Sequence, residues 1–202
     1  MNVVFQWRAW LAVVIAAQLF HASFAAAQDG AFSEYEVKAA FLYNFGKFVE
    51  WPTNAFAAEN APLLIGVYGD NPFGNDLAEV VRNKIINGHP VITRKVSFSE
   101  LKCCQILFIS RSEQKNIKQI LAALDGAGVL TVTEDMDPTQ PGVMINFIVE
   151  DDRIRFEIDN SAAEKVGLKI SSKLLILATK TTMLHKIHKI EQPGVFLCAR
   201  FP

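Results

Sequence analysis

The feature that most constrains the fold is one aromatic-rich stretch, residues 34–52. Six aromatic residues fall within a single helix-length run that a proline closes: Tyr35, Phe41, Tyr43, Phe45, Phe48 and Trp51. At about 100° per residue, one broad apolar face is predicted, formed by Val37, Ala40, Phe41, Asn44, Phe45 and Phe48. Pro52 disfavours the helical conformation for the residue before it, so the helix should end at Trp51. We therefore predict a core-facing helix over residues 34–51.

The opposite side of this helix is not cleanly polar, because Leu42 and Tyr43 accompany Lys47 and Glu50. Two interpretations are open. The helix can be held by tertiary contacts on both sides, or its second face can be a docking surface for another chain. For the second interpretation, the candidate partner-binding residues are Leu42, Tyr43, Lys47, Glu50 and Trp51. The amide of Asn44, within the apolar stripe, is expected to bind backbone groups.

The N-terminus has the composition of a secretory signal peptide. Residues 1–27 carry a single charge, Arg8, then an apolar run over 9–20, and then three alanines before Gln28. The apolar run is short for a membrane span. We predict cleavage before Gln28 and export from the cytoplasm; the alternative is an uncleaved amphiphilic anchor. The predicted organisation is a signal peptide over 1–27, one α/β domain over 28–179, and a C-terminal tail of unclear role over 180–202.

Beyond the first helix, short apolar runs alternate with helical patterns. Strands are predicted at 63–68, 91–98, 105–110 and 128–133, and helices at 72–84, with Asn71 as N-cap, and from Ser112, with an apolar stripe at Ile117, Ile120, Leu121 and Leu124. This order predicts an α/β fold with a mainly parallel, doubly wound sheet. Residues 143–150 and 153–159, joined at Asp151 and Asp152, predict an added antiparallel hairpin. A last helix should be capped by Asn160 or Ser161.

No local motif supports catalysis or cofactor binding. The spacing of Gly69 and Gly74 is that of a P-loop, but the Lys and Ser/Thr that would follow are absent. His185 and His188 are three residues apart and lack a third metal ligand. The net charge of −1 offers no basic surface for nucleic acid. We predict no enzyme activity, no catalytic residue, no cofactor and no metal. One acidic cluster before Pro138 is interpreted as a solvated loop: Glu134, Asp135 and Asp137.

The three cysteines are Cys103, Cys104 and Cys198. Because the number is odd, at least one thiol is free or pairs with another chain. Export would place them in an oxidising compartment. A disulfide between Cys198 and one of the adjacent pair, with Cys104 and Cys198 as the candidate residues, is one alternative. Buried, reduced cysteines before a core strand are the other.

Five stretches, taken in order, resemble the YfiR family of bacterial periplasmic proteins. They are KAAFLYNFGKFVEWP at 38–52, GDNPFG at 69–74, CQILFIS at 104–110, the run around 142–147 followed by RFEI, and GLKISSKLL at 167–175. Together they span nearly all of the chain after the predicted signal peptide. The resemblance also implies a cysteine at position 104 that is bonded elsewhere in the fold, although no cysteine stands in the upstream strand here.

The resemblance implies a regulator that binds other proteins. Such a protein would restrain an inner-membrane diguanylate cyclase by contacting its periplasmic portion, and would thereby lower cyclic di-GMP and biofilm output. It further implies a homodimer, and release that involves an outer-membrane-associated partner or redox misfolding. A second hypothesis is a periplasmic small-molecule-binding module. Its ligand would lie at the carboxyl ends of the parallel strands, beside residues 70–73, Ser110 and Arg111.

Overall fold

The structure, a computed structural model, describes residues 32–136 and 142–182. Several sequence-based predictions lie outside these residues: the signal peptide over 1–27, Asp137, His185, His188 and Cys198. The chain divides after Ser33 into two units. The second unit contains every helix and strand described below.

Within the described residues there are five α-helices and ten strands. The helices are α1 (Glu34–Phe48), α2 (Asp76–Val81), α3 (Ile117–Ala123), α4 (Asn160–Lys165) and α5 (Ser172–Leu177). The strands are β1 (Val49–Glu50), β2 (Leu63–Tyr68), β3 (Ile85–Ile86), β4 (His89–Lys95), β5 (Ile106–Ile109), β6 (Leu130–Glu134), β7 (Ile145–Glu150), β8 (Arg153–Asp159), β9 (Lys169–Ile170) and β10 (Lys180–Thr182). Short 3-10 helices cover Thr53–Ala55, Phe98–Cys103 and Arg111–Asn116.

Eight strands form one mostly parallel sheet in the order β10-β8-β7-β6-β5-β2-β4-β3. Strands β4, β2, β5, β6 and β7 run parallel, whereas β8 is antiparallel to β7 and β3 is antiparallel to β4. The predicted hairpin is confirmed, and both turn residues, Asp151 (φ 51°) and Asp152 (φ 56°), adopt the left-handed conformation that a two-residue hairpin turn requires. Strands β1 and β9 form a separate antiparallel pair. The predicted α/β class is therefore confirmed.

Helices cover both faces of the sheet, as expected for a doubly wound fold. On one face, α1, α2, α4 and α5 pack against one apolar cluster that includes Ile65, Phe108 and Phe147. On the other face, α3 contributes the predicted positions Ile117, Ile120 and Leu124 to a second cluster. The first face holds α1 firmly, because the ring of Phe45 lies 5.6 Å from that of Phe147 and 5.2 Å from that of Phe156, centroid to centroid.

The predicted orientation of α1 is wrong by about a third of a turn. Its buried residues are Lys38, Ala39, Leu42, Phe45 and Gly46, whereas Ala40 is exposed and Asn44 is only half-buried. Leu42 is 0% exposed and belongs to the core, so its prediction as a partner-binding residue is wrong. The distribution of apolar residues predicted the wrong buried side because the side that is buried contains Lys38. A Cβ on Gly46 would lie 2.9 Å from Ile86 Cδ1, which shows how closely the helix approaches the sheet.

Helix boundaries also differ from the prediction where local hydrogen bonds replace helical ones. Helix α1 ends at Phe48 rather than Trp51, since Val49–Glu50 pairs with Lys169–Ile170 instead. Helix α2 begins at Asp76 because Asn71 closes a turn, accepting from Phe73 N–H (3.1 Å) and donating to the carbonyl of Gly74 (3.1 Å). Asp159, rather than Asn160 or Ser161, caps α4 by accepting from Ala162 N–H at 3.1 Å.

Candidate functional site

A buried ion pair joins α1 to the carboxyl end of the sheet. Leu130, Val132 and Glu134 alternate along β6 and so point to one face, the face that α1 covers. There Lys38 Nζ lies 2.5 Å from Glu134 Oε2 and 2.5 Å from Glu34 Oε1. The side chains of Lys38 and Glu134 are each 1% exposed. The prediction of a solvated acidic loop is therefore wrong for Glu134.

Tyr35 covers this ion pair from the N-terminal turn of α1. Its hydroxyl donates to Glu134 Oε2 at 3.3 Å, and its ring meets that of Phe73 edge-on at a centroid distance of 5.6 Å. Burial, together with the negative charge of Glu134, raises the pKa of Tyr35 above its ordinary value. Burial alone would lower the pKa of Lys38, but the hydrogen bonds and charges of Glu134 and Glu34 outweigh it, and that pKa is raised. The cluster is thus satisfied by its own partners.

The crevice expected for a small ligand lies where the chain crossovers diverge, between the carboxyl ends of β2 and β5. The structure does bring residues 70–73 beside Ser110 and Arg111. However, protein groups contact one another across this entrance, where Asp70 N–H donates to Ser112 Oγ at 3.0 Å. Arg111 is engaged on its other side, by Asp135 directly after β6. A Cβ on Gly69, whose φ is +92°, would lie only 2.6 Å from Ser112 Oγ. Between these two strands the observed contacts favour closure over ligand binding.

An open groove of about 610 Å³ lies at the opposite, amino end of the strands. Glu50 and Trp51 line it, together with Phe56, Glu59 and His89. The ring of Phe56 stacks on that of His89 at a centroid distance of 3.8 Å. Trp51 is held by its indole N–H, which donates to the carbonyl of Gln105 at 3.2 Å. Two of the predicted partner-binding residues therefore lie on an accessible surface.

A second groove, of about 420 Å³, shares Glu50 with the first. We call it the lysine groove; its lining is Lys47, Phe48, Glu50, Lys169, Ile170, Ser171 and Lys173. Lys47 Nζ lies 5.6 Å from the ring centroid of Tyr43, which is half-buried. Four of the five predicted partner-binding residues are thus exposed or half-buried near the C-terminal end of α1, whereas Leu42 is buried. Lys169 and Lys173 were not among the predicted residues, because only the pairing of β1 with β9 brings them to Lys47.

The adjacent cysteines differ in exposure. Cys103 is exposed and Cys104 is buried, and both are free thiols. Burial raises the pKa of the Cys104 thiol to about 12, which keeps it protonated and unreactive at neutral pH. A Cβ on Gly66 would clash with Cys104 Sγ, so this thiol fills space beside β2. Cys198, the other residue of the predicted disulfide, lies outside the described residues.

The described part of the chain contains neither a metal-binding cluster nor a membrane-spanning helix. In residues 32–136 and 142–182, no group of three or more His, Cys, Asp or Glu residues is placed to hold a metal ion. Over the same residues, none of the helices combines the length and the hydropathy that crossing a bilayer would take.

Comparison with known proteins identifies a family. The family model described as YfiR/HmsC-like matches residues 35–179, which include all of α1 except Glu34, both grooves and the sheet as far as β8. No curated protein matches the chain.

Proposed function

The chain belongs to the YfiR/HmsC-like family, and on that basis we propose that it binds and restrains the periplasmic portion of an inner-membrane diguanylate cyclase. The family is one of non-catalytic periplasmic regulators of diguanylate cyclase signalling. Restraint of the cyclase would lower cyclic di-GMP and biofilm output. The match over residues 35–179 is the observation that carries this proposal. The proposal also includes export by the signal peptide at 1–27, a homodimer, and release by an outer-membrane-associated partner or by redox misfolding.

The partner surface in this proposal is the C-terminal end of α1, formed by Tyr43, Lys47, Glu50 and Trp51. Support comes from the contrast between the two ends of the sheet. At the carboxyl end, the polar groups of Lys38 and Glu134 bind each other, and Arg111 pairs with Asp135. At the amino end, Lys47 and Glu50 are exposed and line open grooves. A regulator that works by contact needs accessible groups, and here these lie at the amino end.

The proposal is tested by expressing the full chain, crosslinking in the periplasm, and identifying the captured proteins by mass spectrometry. We expect capture of a membrane protein with a cytoplasmic diguanylate cyclase domain, and a fall in cellular cyclic di-GMP. N-terminal sequencing of the exported protein should begin at Gln28. Self-crosslinks alone, with unchanged cyclic di-GMP, would contradict the regulatory proposal.

Surface variants localise the contact. Lys47→Glu combined with Glu50→Lys exchanges two exposed charges while keeping the net charge, and should reduce capture of the cyclase. Lys118→Glu, on the exposed side of α3 across the sheet, is the control and should capture as the wild type does. Thermal unfolding of each variant distinguishes lost contact from lost folding. Equal capture by both variants would exclude this end of α1 as the partner surface.

A further inference from the structure

The lysine groove collects like charges that the protein itself does not neutralise. Lys47 at the end of α1, Lys169 in β9 and Lys173 in α5 line it, against the single carboxylate of Glu50. All three lysines are exposed. The chain as a whole carries a net charge of −1, so this local excess of positive charge is opposite in sign to that of the molecule. Like charges held close together repel, which is a cost to the folded protein.

These lysines lack ion-pair partners although a carboxylate is near. Across the described residues, no Asp or Glu oxygen lies within 4.0 Å of the ammonium group of Lys47, Lys169 or Lys173. Glu50 is directly opposite Lys169 in the β1–β9 pair, yet the two are not bridged. Three exposed arginines do form ion pairs, Arg94 with Glu100, Arg111 with Asp135, and Arg155 with Glu150, whereas exposed lysines such as Lys115 and Lys118 form none within the described residues.

The rest of the groove suits a peptide rather than a bare ion. Phe48, which is half-buried, supplies apolar surface. Ser171 Oγ accepts from Lys173 N–H at 3.3 Å, so its hydroxyl hydrogen can donate to a ligand. The volume of about 420 Å³ is much larger than a phosphate ion needs and falls in the range of sites that hold several side chains or a small molecule.

We infer that the lysine groove binds an acidic segment of the regulated partner, with carboxylates facing the three lysines and an apolar side chain against Phe48. This inference rests on the proposed function, since it specifies the chemistry of the partner at the same end of α1. Complementary charge accelerates encounter and selects partners, and makes binding sensitive to salt. Glu50 sets the register of the bound segment in the groove, because it repels any carboxylate placed beside it.

The direct test is an NMR titration of the exported protein with the synthetic peptide acetyl-Glu-Asp-Phe-Glu-Asp-Leu-amide. Amide shifts should concentrate at residues 47–50 and 169–173, and affinity should fall as sodium chloride rises from about 50 to 300 mM. The same peptide with Gln and Asn in place of the acids should not bind. Absence of binding, or shifts spread over lysines throughout the surface, would overturn the inference. Inorganic phosphate is the second probe: tighter binding of phosphate than of peptide would make this a small-anion site and would also overturn it.

Matched variants separate this inference from the proposed function. Lys169→Gln with Lys173→Gln should weaken peptide binding about five- to tenfold, since each exposed ion pair contributes modestly. Lys115→Gln with Lys118→Gln removes two exposed lysines on the α3 side and should leave binding unchanged. If the wild type and the Lys169/Lys173 variant capture the cyclase equally at every salt concentration, the groove inference fails and the proposed function stands. If the groove binds the peptide but no cyclase is captured, the proposed function fails instead.

Discussion

Lys38 and Lys47 both lie on α1, yet one is buried and the other is exposed to solvent. Lys38 is 1% exposed, and its ammonium group lies 2.5 Å from the carboxylates of Glu34 and Glu134. Lys47 is exposed, and its ammonium group lies 5.6 Å from the ring centroid of Tyr43. One end of α1 buries the ammonium group of Lys38 against carboxylates, whereas the other end leaves that of Lys47 open to solvent.

The difference reflects what water does for a charge. A buried ammonium group has lost its hydration and must be compensated by protein partners, so Lys38 requires both carboxylates and contributes to the position of α1. An exposed ammonium group keeps its hydration and can remain unpaired at little cost. The enclosed end therefore specifies structure, and the open end is available for binding.

The largest expected effect comes from removing the buried cation. Lys38→Met leaves Glu134 as an uncompensated buried charge and should lower the free energy of unfolding by about 3–5 kcal/mol. The matched variant at the open end, Lys47→Met, should change it by less than about 0.5 kcal/mol. Urea denaturation of the two variants and the wild type measures these changes in the free energy of unfolding. Similar losses for the two variants would show that the ends do not differ as described.

A double variant shows whether the loss comes from the unpaired charge. Lys38→Met together with Glu134→Leu replaces the ion pair with apolar side chains and should recover most of the stability lost in Lys38→Met. Additive losses in the double variant would mean instead that each side chain is needed for its own packing.

The next effect concerns neighbouring positions on α1. Leu42→Ala should cost about 2–5 kcal/mol, because Leu42 is fully buried and truncation leaves a cavity. Tyr43→Ala should cost clearly less, since the Tyr43 side chain is half-buried. In the capture experiment, however, Tyr43→Ala should be the more damaging of the two. Loss of capture that merely follows loss of stability in both variants would argue against a contact surface at Tyr43.

A smaller effect is expected from alkaline pH. The folded-state pKa of Lys38 is raised, so its stabilising effect is complete below the ordinary lysine value of about 10.4 and is lost as pH rises through the folded-state value. The raised pKa of Tyr35 acts in the same direction, because the folded state resists ionisation of its hydroxyl. The difference in stability between wild type and Lys38→Met should therefore narrow above about pH 10.4. Measuring the free energy of unfolding against pH in both proteins checks this. Repeating the measurement with Tyr35→Phe added to each removes the contribution of the tyrosine and leaves that of the lysine.

The smallest effect is predicted for the lysine groove. Lys169→Gln and Lys173→Gln should each change the free energy of unfolding by less than about 0.5 kcal/mol, with a slight gain where repulsion is relieved. Thermal and urea unfolding both measure this. A loss of several kcal/mol would show that these lysines stabilise the fold, and the groove would then no longer be a surface kept free for a partner.

Much of the fold was predictable because periodicity and turn chemistry are local. The apolar strands, the stripe of α3 and the Asp151–Asp152 hairpin all follow from patterns within short windows. The orientation of α1 was not predictable from apolar residues alone, since a lysine lies at the centre of its buried side. One pattern did point to the pair: Glu134 continues the alternation of Leu130 and Val132, and Lys38 precedes Leu42 by one helical turn.

The candidate site was predicted in part, for a similar reason. Tyr43, Lys47, Glu50 and Trp51 are neighbours in the chain, so the helical pattern brought them together. Lys169 and Lys173 are far from them in sequence and reach the groove through the β1–β9 pairing, which a two-residue strand does not reveal. The prediction that Glu134 is solvated was wrong because its partner, Lys38, lies on a helix that is distant in the sequence.

By itself, the sequence determined the α/β class, the order of the longer strands and helices, the hairpin and membership of the YfiR/HmsC-like family, since each depends on residues close together in the chain or on motifs in order. The tertiary structure alone decided which side of α1 is buried, that Lys38 and Glu134 share one buried site, and that three lysines meet at one groove. The physical reason is that the cost of a charge depends on its distance from water and from other charges, and those distances exist only once the chain has folded.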